Sequence, residues 1–453
     1  MFLMDNLLLR LCQFLGIDRA VFFAVTGKVW SMGAGLATAL MVASFFHPQL
    51  QGYYYTFISV LALQVFAELG LGSVISAYAS HEWAKLAFNK YGEVVGDEDA
   101  LSRLISLGGF ARKWYLAAGV LAACALSFGG LFFFGSTGWD EVSIWGAPWI
   151  ALCLVTGINL CLMPIWALLE GCNQVSNIYL YRFLQSILTS IVAWLGIYFG
   201  AGLWIAFIMG TTTLLSTVAM VVRRYSRFIQ QIMFEHPRLT RLDWKSDILP
   251  MQWRVSLSWL SGYFTFSLFV PVLFHYHGAV VAGQMGMTWA FISALTGVVS
   301  SWITPKAPVF GMLIAQHKFA ELDQIFWRLT IVVALVATLG AFFIWLLIYG
   351  LVKFDIPFSQ RMLSPFATGC FLVATIIHTA GLPMSTYLRA HKKEPLLMLS
   401  IVYGVFTGVV VVVLGRYYSV DVVAIGYLAV MVIVAPFNVI IWRNCRAKWH
   451  RFN

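Results

Sequence analysis

Charge is what this sequence has least of. Only 11% of its 453 residues are Asp, Glu, Lys or Arg, against about 25% in ordinary soluble domains. A chain this long has room for two or three soluble domains, but 60% hydrophobic residues exclude that arrangement. Strict apolar–polar alternation is also missing, which excludes the strands of a membrane barrel. Seven cysteines are present, at Cys12, Cys124, Cys153, Cys161, Cys172, Cys370 and Cys445. None falls in an expected external loop, and no CxxC or Cys/His cluster occurs. A disulfide framework and a metal centre are therefore not expected, and no cofactor is implied. The start, Met1-Phe2-Leu3-Met4-Asp5, has too short an apolar stretch for a cleavable signal. No pairing of a nucleophile with a base is visible, so an enzyme is not expected.

What is present is a series of long apolar runs, and a run of about 20 residues spans a bilayer as a helix. Only a helix or a closed barrel satisfies its own backbone in lipid. The fold class expected is an all-α polytopic membrane protein with twelve transmembrane helices. The spans are Val21–Phe46, Gly52–Ala79, Trp114–Phe134, Trp145–Leu169, Ile178–Phe199, Leu203–Val222, Val255–Phe274, Ala279–Ile303, Leu329–Val352, Leu363–Leu388, Leu396–Leu414 and Val422–Trp442. All but three of the 29 Lys and Arg then fall on one side; the exceptions are Lys353, Arg361 and Arg416. By the positive-inside rule both termini are expected in the cytoplasm. The net charge of +10 is then loop charge facing anionic lipid headgroups, and no nucleic-acid partner is needed. Leu7 to Ile17, and the stretch from Tyr225 to Phe234, read as amphipathic helices on the membrane surface. Ser80 to Lys113 is a mixed-charge cytoplasmic segment, expected to be partly helical.

The chain also repeats itself. Gly52, Phe57-Ile58-Ser59 and His81-x-x-Ala84-x-Leu86 return in the same order as Gly286, Phe291-Ile292-Ser293 and His317-x-x-Ala320-x-Leu322. Pro164 with Leu169 is echoed by Pro383 with Leu388. Six spans per half make a parallel repeat, with lobes expected at residues 1–237 and 238–453. A duplicated membrane chain reads first as a transporter whose halves rock around a shared path.

Charge inside a span is costly and marks candidate sites. Lys28 and Glu68 lie at nearly equal depth on the first hairpin, each about 20 residues from the turn at Pro48. Either they form a structural ion pair, or Lys28 binds an anionic substrate while Glu68 couples transport to a proton or sodium ion. Arg254 takes the place in span seven that Lys28 has in span one. It is either a helix-start anchor or a second phosphate-binding group, for which a guanidinium is well suited. Arg182 lies one turn inside span five, where snorkelling to the interface competes with a substrate role. Glu170, at the inner end of span four, and His378, mid-way along span ten, are further coupling candidates. Solvation of Glu170 and simple packing of His378 are the alternatives. Asp97-Glu98-Asp99 reads as a solvated acidic loop.

The entry to span two, Gln51-Gly52-Tyr53-Tyr54-Tyr55-Thr56-Phe57, and the following Glu68-Leu69-Gly70-Leu71-Gly72 carry a family resemblance. Pro164-x5-Glu170-Gly171 and Leu249-Pro250-Met251-Gln252-Trp253-Arg254 add to it. Together they resemble the multidrug/oligosaccharidyl-lipid/polysaccharide (MOP) exporter superfamily, and within it the polysaccharide branch of Wzx-type O-antigen flippases. The resemblance implies two six-helix lobes with alternating access, in the inner membrane of a Gram-negative bacterium. It implies undecaprenyl diphosphate carrying a short sugar repeat as substrate, with Lys28 and Arg254 as diphosphate ligands. Membrane lipids are the surrounding partners, H+ or Na+ the candidate coupling ions, and a polysaccharide polymerase and a chain-length protein the candidate neighbours. A small-molecule exporter of the same superfamily is the first competing expectation. Its cation cavity should be acidic, whereas bases here at least match the internal acids. A membrane-embedded polysaccharide enzyme is the second, and it lacks the large external loop such an enzyme would use.

Overall fold

The computed structural model describes residues 19–136, 142–240, 242–243, 249–391 and 393–450. Leu7 to Ile17 and Cys12 lie outside these residues. The first half contains α1 (Arg19–Phe45), α2 (Pro48–Leu61), α3 (Leu71–Trp83), a hairpin of β1 (Leu86–Phe88) and β2 (Val94–Gly96), α4 (Glu98–Gly135), α5 (Val142–Gly171), α6 (Val175–Tyr198), α7 (Trp204–Met220) and α8 (Ser226–Phe234). The second contains α9 (Leu249–Phe266), α10 (Phe269–His277), α11 (Ala279–Ile303), α12 (Ala307–Ala315), α13 (Phe319–Lys353), α14 (Pro365–Ala390), α15 (Leu397–Tyr417) and α16 (Val420–Trp449). Ten helices among the described residues are long and apolar enough to cross a membrane, and Pro48–Glu68 with Leu71–Trp83 forms a further, bent pair. The seventh expected span is present as α9 and α10, broken at Ser267 and Leu268. Large apolar side chains such as Phe128, Phe132 and Leu339 stand exposed, as they must where the surrounding solvent is lipid.

By packing, the chain forms two units. One comprises Met1–Ala34 and Leu63–Ser256, the other Gly35–Ala62 and Leu257–Asn453.

In the first unit α4 and α5 approach through small residues. A Cβ on Gly119 would stand 2.6 Å from the Gly157 carbonyl oxygen, so only glycine permits this backbone contact. Trp149 is buried beside them and donates from Nε1 to the Leu126 carbonyl at 3.1 Å. Pro164 is tolerated inside α5, as Pro383 is inside α14, because neighbouring helices can satisfy a freed carbonyl.

The segment from Ser80 to Lys113 is partly helical, as expected, and between α3 and α4 it folds back as the antiparallel pair β1–β2, with Leu86 opposite Gly96. Gln231 completes the hairpin's edge, accepting from Val94 N at 2.7 Å and donating to Val94 O at 2.9 Å. One local expectation is corrected in this unit: α8 does not lie with its apolar face on lipid. Phe228, Ile229, Ile232 and Met233 are buried, with Phe228 against Phe88 and Ile232 against Gly108 of α4. An amphipathic period fixes which face is apolar, not what covers it.

In the second unit α2 packs on α11. Gly52 meets the backbone of Ala279, and Gly286 meets the ring of Tyr55, leaving no room for a Cβ on either glycine. Gln51 is 1% exposed and donates to the carbonyls of Gly283 at 3.0 Å and Arg361 at 3.2 Å. The segment from Gln51 to Phe57, singled out in the sequence, is thus a buried helix–helix contact.

Candidate functional site

Span two breaks where the sequence places its buried acid. Glu68 ends a short helix, Val65–Glu68, and Leu69 and Gly70 follow at φ 52° and 68°. Glycine adopts that left-handed conformation freely, whereas leucine does so only under local constraint. Gln252 supplies part of that constraint: its Nε2 donates to the Leu69 carbonyl at 2.7 Å. The Ser256 hydroxyl donates to the same oxygen at 3.1 Å. The exposed carbonyl of a helix break is thereby satisfied inside the first unit. Arg254 lies between Gln252 and Ser256 on α9, but its side chain falls outside the described residues.

Glu68 faces a recess made by the missing side chain of Gly72. A Cβ there would stand 3.4 Å from Glu68 Oε1 and 3.6 Å from Tyr115 Oη. The Tyr115 hydroxyl is buried, and the Gly72 backbone and the Glu68 carboxylate are its polar neighbours among the described residues. Nothing in the sequence singles Tyr115 out; it is one aromatic among many in an apolar run.

Lys28 does not pair with Glu68. It is exposed on α1, and no ion pair to it occurs among the described residues. Its surroundings are set by α6 instead. Gly27 lies against Phe183, where a Cβ would stand 3.6 Å from the phenylalanine Cβ. Ser31 Oγ is 3.1 Å from Ser186 Oγ, and Trp30 is 6.1 Å from Trp194 between ring centroids. Lys28 follows Gly27 and Arg182 precedes Phe183, so both cations stand at one level of this helix pair.

Arg182 and Glu170, treated separately in the sequence, are joined. Arg182 Nη1 is 2.9 Å from Glu170 Oε1, with the two side chains 43% and 28% exposed. The guanidinium also lies 5.3 Å from the centre of the Trp166 ring, an added cation–π contact. The short link from Gly171 to Gln174, with Asn173 at φ 57°, folds α6 back on α5 and brings the pair together. One turn along α6, Gln185 Nε2 reaches Thr213 O, Ser216 Oγ and Thr217 Oγ1 at 2.7–3.0 Å. The first unit thus places Lys28, Arg182 and Glu170 near one end of α6, where Arg224 also lies beside Tyr225, with uncharged polar groups beyond.

His378 lies elsewhere. It borders a cavity of about 280 Å³ in the second unit, between α9, α14, α15 and α16. Its ring packs edge-on against Phe266 at 5.3 Å. No hydrogen bond to it is formed among the described residues. Asn438, which sequence reasoning passed over, borders the same cavity. An amide two residues after Pro436 in an otherwise apolar run was the available signal.

Three solved structures place this arrangement. The chain matches an inward-facing multidrug resistance MATE family transporter of the MOP superfamily with a TM-score of 0.73, at 15% identity, over 95% of this chain and 99% of that one. The MOP fold is the fold of this chain. It also matches a MOP superfamily transporter from Pyrococcus furiosus, described by a binding pocket of reverse polarity that suggests a different function, with a TM-score of 0.56, 16% identity and coverage of 96% and 98%. The lipid II flippase MurJ, in an inward closed conformation, matches with a TM-score of 0.61, 13% identity and coverage of 93% and 87%. No family model and no curated protein matches the chain. The helices accordingly form a two-lobe, all-helical, multi-pass membrane protein with that fold.

Proposed function

We propose that this chain is a flippase. It moves a polyprenyl-diphosphate-linked oligosaccharide from the cytoplasmic to the external leaflet of the cytoplasmic membrane by alternating access. The observation that carries this is positive charge on neighbouring turns of α1 and α6: Arg182 is held by Glu170, while Lys28 is exposed on α1 with no ion pair among the described residues. Charge is tolerated in a span where it meets a partner, and a diphosphate is the partner two cations fit best. Arg254, on α9 next to the capped break in span two, is proposed as a third ligand. Supporting the reading, the MOP fold is that of a named lipid II flippase.

The need for a protein is physical. The headgroup carries a diphosphate and many hydroxyls, and each hydroxyl taken into hydrocarbon unpaired costs several kcal/mol. The tail can stay in the bilayer while the head crosses. Glu68, beside Tyr115 at the helix break, is the proposed coupling group for a proton or a sodium ion. In this reading both termini lie in the cytoplasm, and the two sequence repeats are residues 1–237 and 238–453.

A second reading, a multidrug exporter, is favoured by the MATE transporter match. One experiment separates them: flipping of a fluorescent undecaprenyl-diphosphate oligosaccharide in proteoliposomes, with and without a proton gradient. Wild-type flux is expected, reduced about tenfold or more in Lys28→Ala and Arg254→Ala. In Glu68→Gln, flux should persist without responding to the gradient. Absence of wild-type flux, with drug–proton exchange in the same vesicles, would sink the flippase reading.

A further inference from the structure

The cavity in the second unit has a graded lining. At one end stand Arg389 and Lys393, at the other His378 and Asn438. Arg389 follows His378 by about three turns of α14, or about 16 Å. Near the mouth Arg389 Nε is 3.4 Å from Glu394 Oε1, and Lys393 Nζ lies 5.1 Å from the centre of the Trp449 ring. The mouth is therefore net positive. The interior holds neither a carboxylate nor a Lys or Arg.

Polar groups in the interior are left open. His378 and Asn438 make no hydrogen bond among the described residues, although an unmatched amide within a membrane helix is costly. Thr265 and Ser385 spend their protons on the carbonyls of Ser261 and Leu382, at 3.0 and 2.9 Å; Thr265 is buried against Tyr403, and the Ser385 oxygen remains able to accept. Gly381 keeps the space clear: a Cβ there would stand 4.0 Å from Asn438 Nδ2. The interior thus offers donors and acceptors in a small space, beside the ring of Phe266.

A cation would find no counter-charge inside, and an anion would be held only at the mouth. The chemistry that fits is an uncharged group dense in hydroxyl or amide functions, joined to an anion. We propose that this cavity is a saccharide subsite, with His378 and Asn438 bonding sugar hydroxyls or acetamido groups while Arg389 and Lys393 hold the phosphate at the mouth. The proposal rests on the flippase reading and deepens it. It gives the second unit a part in recognising the sugar, and it makes His378 a hydrogen-bonding group rather than a coupling group.

The test is binding by the purified full chain in nanodiscs of two probes: farnesyl diphosphate, and farnesyl diphosphate bearing an N-acetylglucosamine disaccharide. Wild type should prefer the glycosylated probe by about tenfold, the worth of one or two neutral hydrogen bonds. Asn438→Leu and His378→Phe should each erase most of that preference while binding farnesyl diphosphate as before, which also reports that they fold. Arg389→Gln with Lys393→Gln should weaken both probes alike. If His378→Phe or Asn438→Leu lost both probes, His378→Gln or Asn438→Gln respectively, each keeping a donor and an acceptor, should restore the preference; failure to do so counts against the subsite. A preference intact in both interior variants, or absent from wild type, overturns the saccharide subsite and leaves the flippase reading standing. Wild-type binding of neither probe removes both.

Discussion

The two units handle polarity inside the membrane in different ways. The first carries ionised side chains within its spans, with Arg182 paired to Glu170 at 2.9 Å and Lys28 at the same level of the α1–α6 pair. The second keeps its ion pairs at one end of the bundle, at Asp323–Arg446 and Arg389–Glu394. Further in, the described residues lining its cavity are uncharged, His378 and Asn438 among them. Ionised groups in a span need partners, whereas neutral ones need only hydrogen bonds. The second unit also recruits residues 35–62 from the first half of the sequence, so sequence repeat and packing unit are not the same object.

Recruitment depends on backbone approach, and breaking it gives the largest expected effect. In Gly52→Val the new side chain would meet the Ala279 backbone, which cannot yield as a flexible side chain can. Overpacking of this kind costs about 3 kcal/mol. The expected outcome is little monodisperse protein on size-exclusion chromatography and a lowered melting temperature in whatever accumulates. Gly33→Val, where nothing lies within 4 Å of the added Cβ, should behave like wild type. Equal behaviour of the two variants would show that α2 is not held by this contact.

Next in size is the charge pair of the first unit. The pair is partly exposed, so its stability contribution is modest, about 1 kcal/mol or less. Exchanging the partners, Arg182→Glu with Glu170→Arg, preserves an ion pair and should preserve the melting temperature. It moves the cation away from Lys28, however, and substrate flux should fall about tenfold. Flux at the wild-type level in the exchanged protein would make the pair purely structural and leave Lys28 without its proposed companion.

Much of this was legible beforehand. The membrane class and the helical runs follow from composition and run length, because lipid allows few alternatives. Breaks were harder to see. Leu69 and Gly70 were quoted as part of a motif, but only tertiary contacts from Gln252 and Ser256 show why the helix stops there. Depth was readable and direction was not: Lys28 and Glu68 were matched by counting residues along a hairpin, yet α1 turns the lysine's neighbours toward α6. The link between Glu170 and Arg182 depends on a short turn, and their separation in sequence gave no warning that they would meet. Asn438 and Tyr115 were missed because one polar atom in a long apolar run carries no period. The hairpin β1–β2 was hidden for a similar reason, since three-residue strands barely alternate.

The smallest effect sharpens the claim that the second unit keeps its titrating groups at one end. His391 follows α14 and His450 follows α16. His391 Nδ1 is 3.0 Å from the Tyr387 carbonyl, while its Nε2 is buried with no partner among the described residues; Lys393 and the rings of Trp449 and His450 are other neighbours. His450 stacks on Phe319 at 4.0 Å and lies 3.3 Å from the Tyr387 hydroxyl, near Asp323 and Arg446. Burial lowers the affinity of both imidazoles for a proton below the ordinary value of 6.5, with Asp323 opposing this at His450. The unfolded chain therefore binds more protons than the folded one once the pH falls through about 6.5. Stability present above that value is lost below it, and the loss levels off under the lowered folded values. The melting temperature should fall slightly between pH 7.5 and pH 5.5, and by less in His391→Leu, which removes the ring whose second nitrogen has no acceptor. A variant as pH-sensitive as wild type would assign the slope to groups other than His391, His450 first among them.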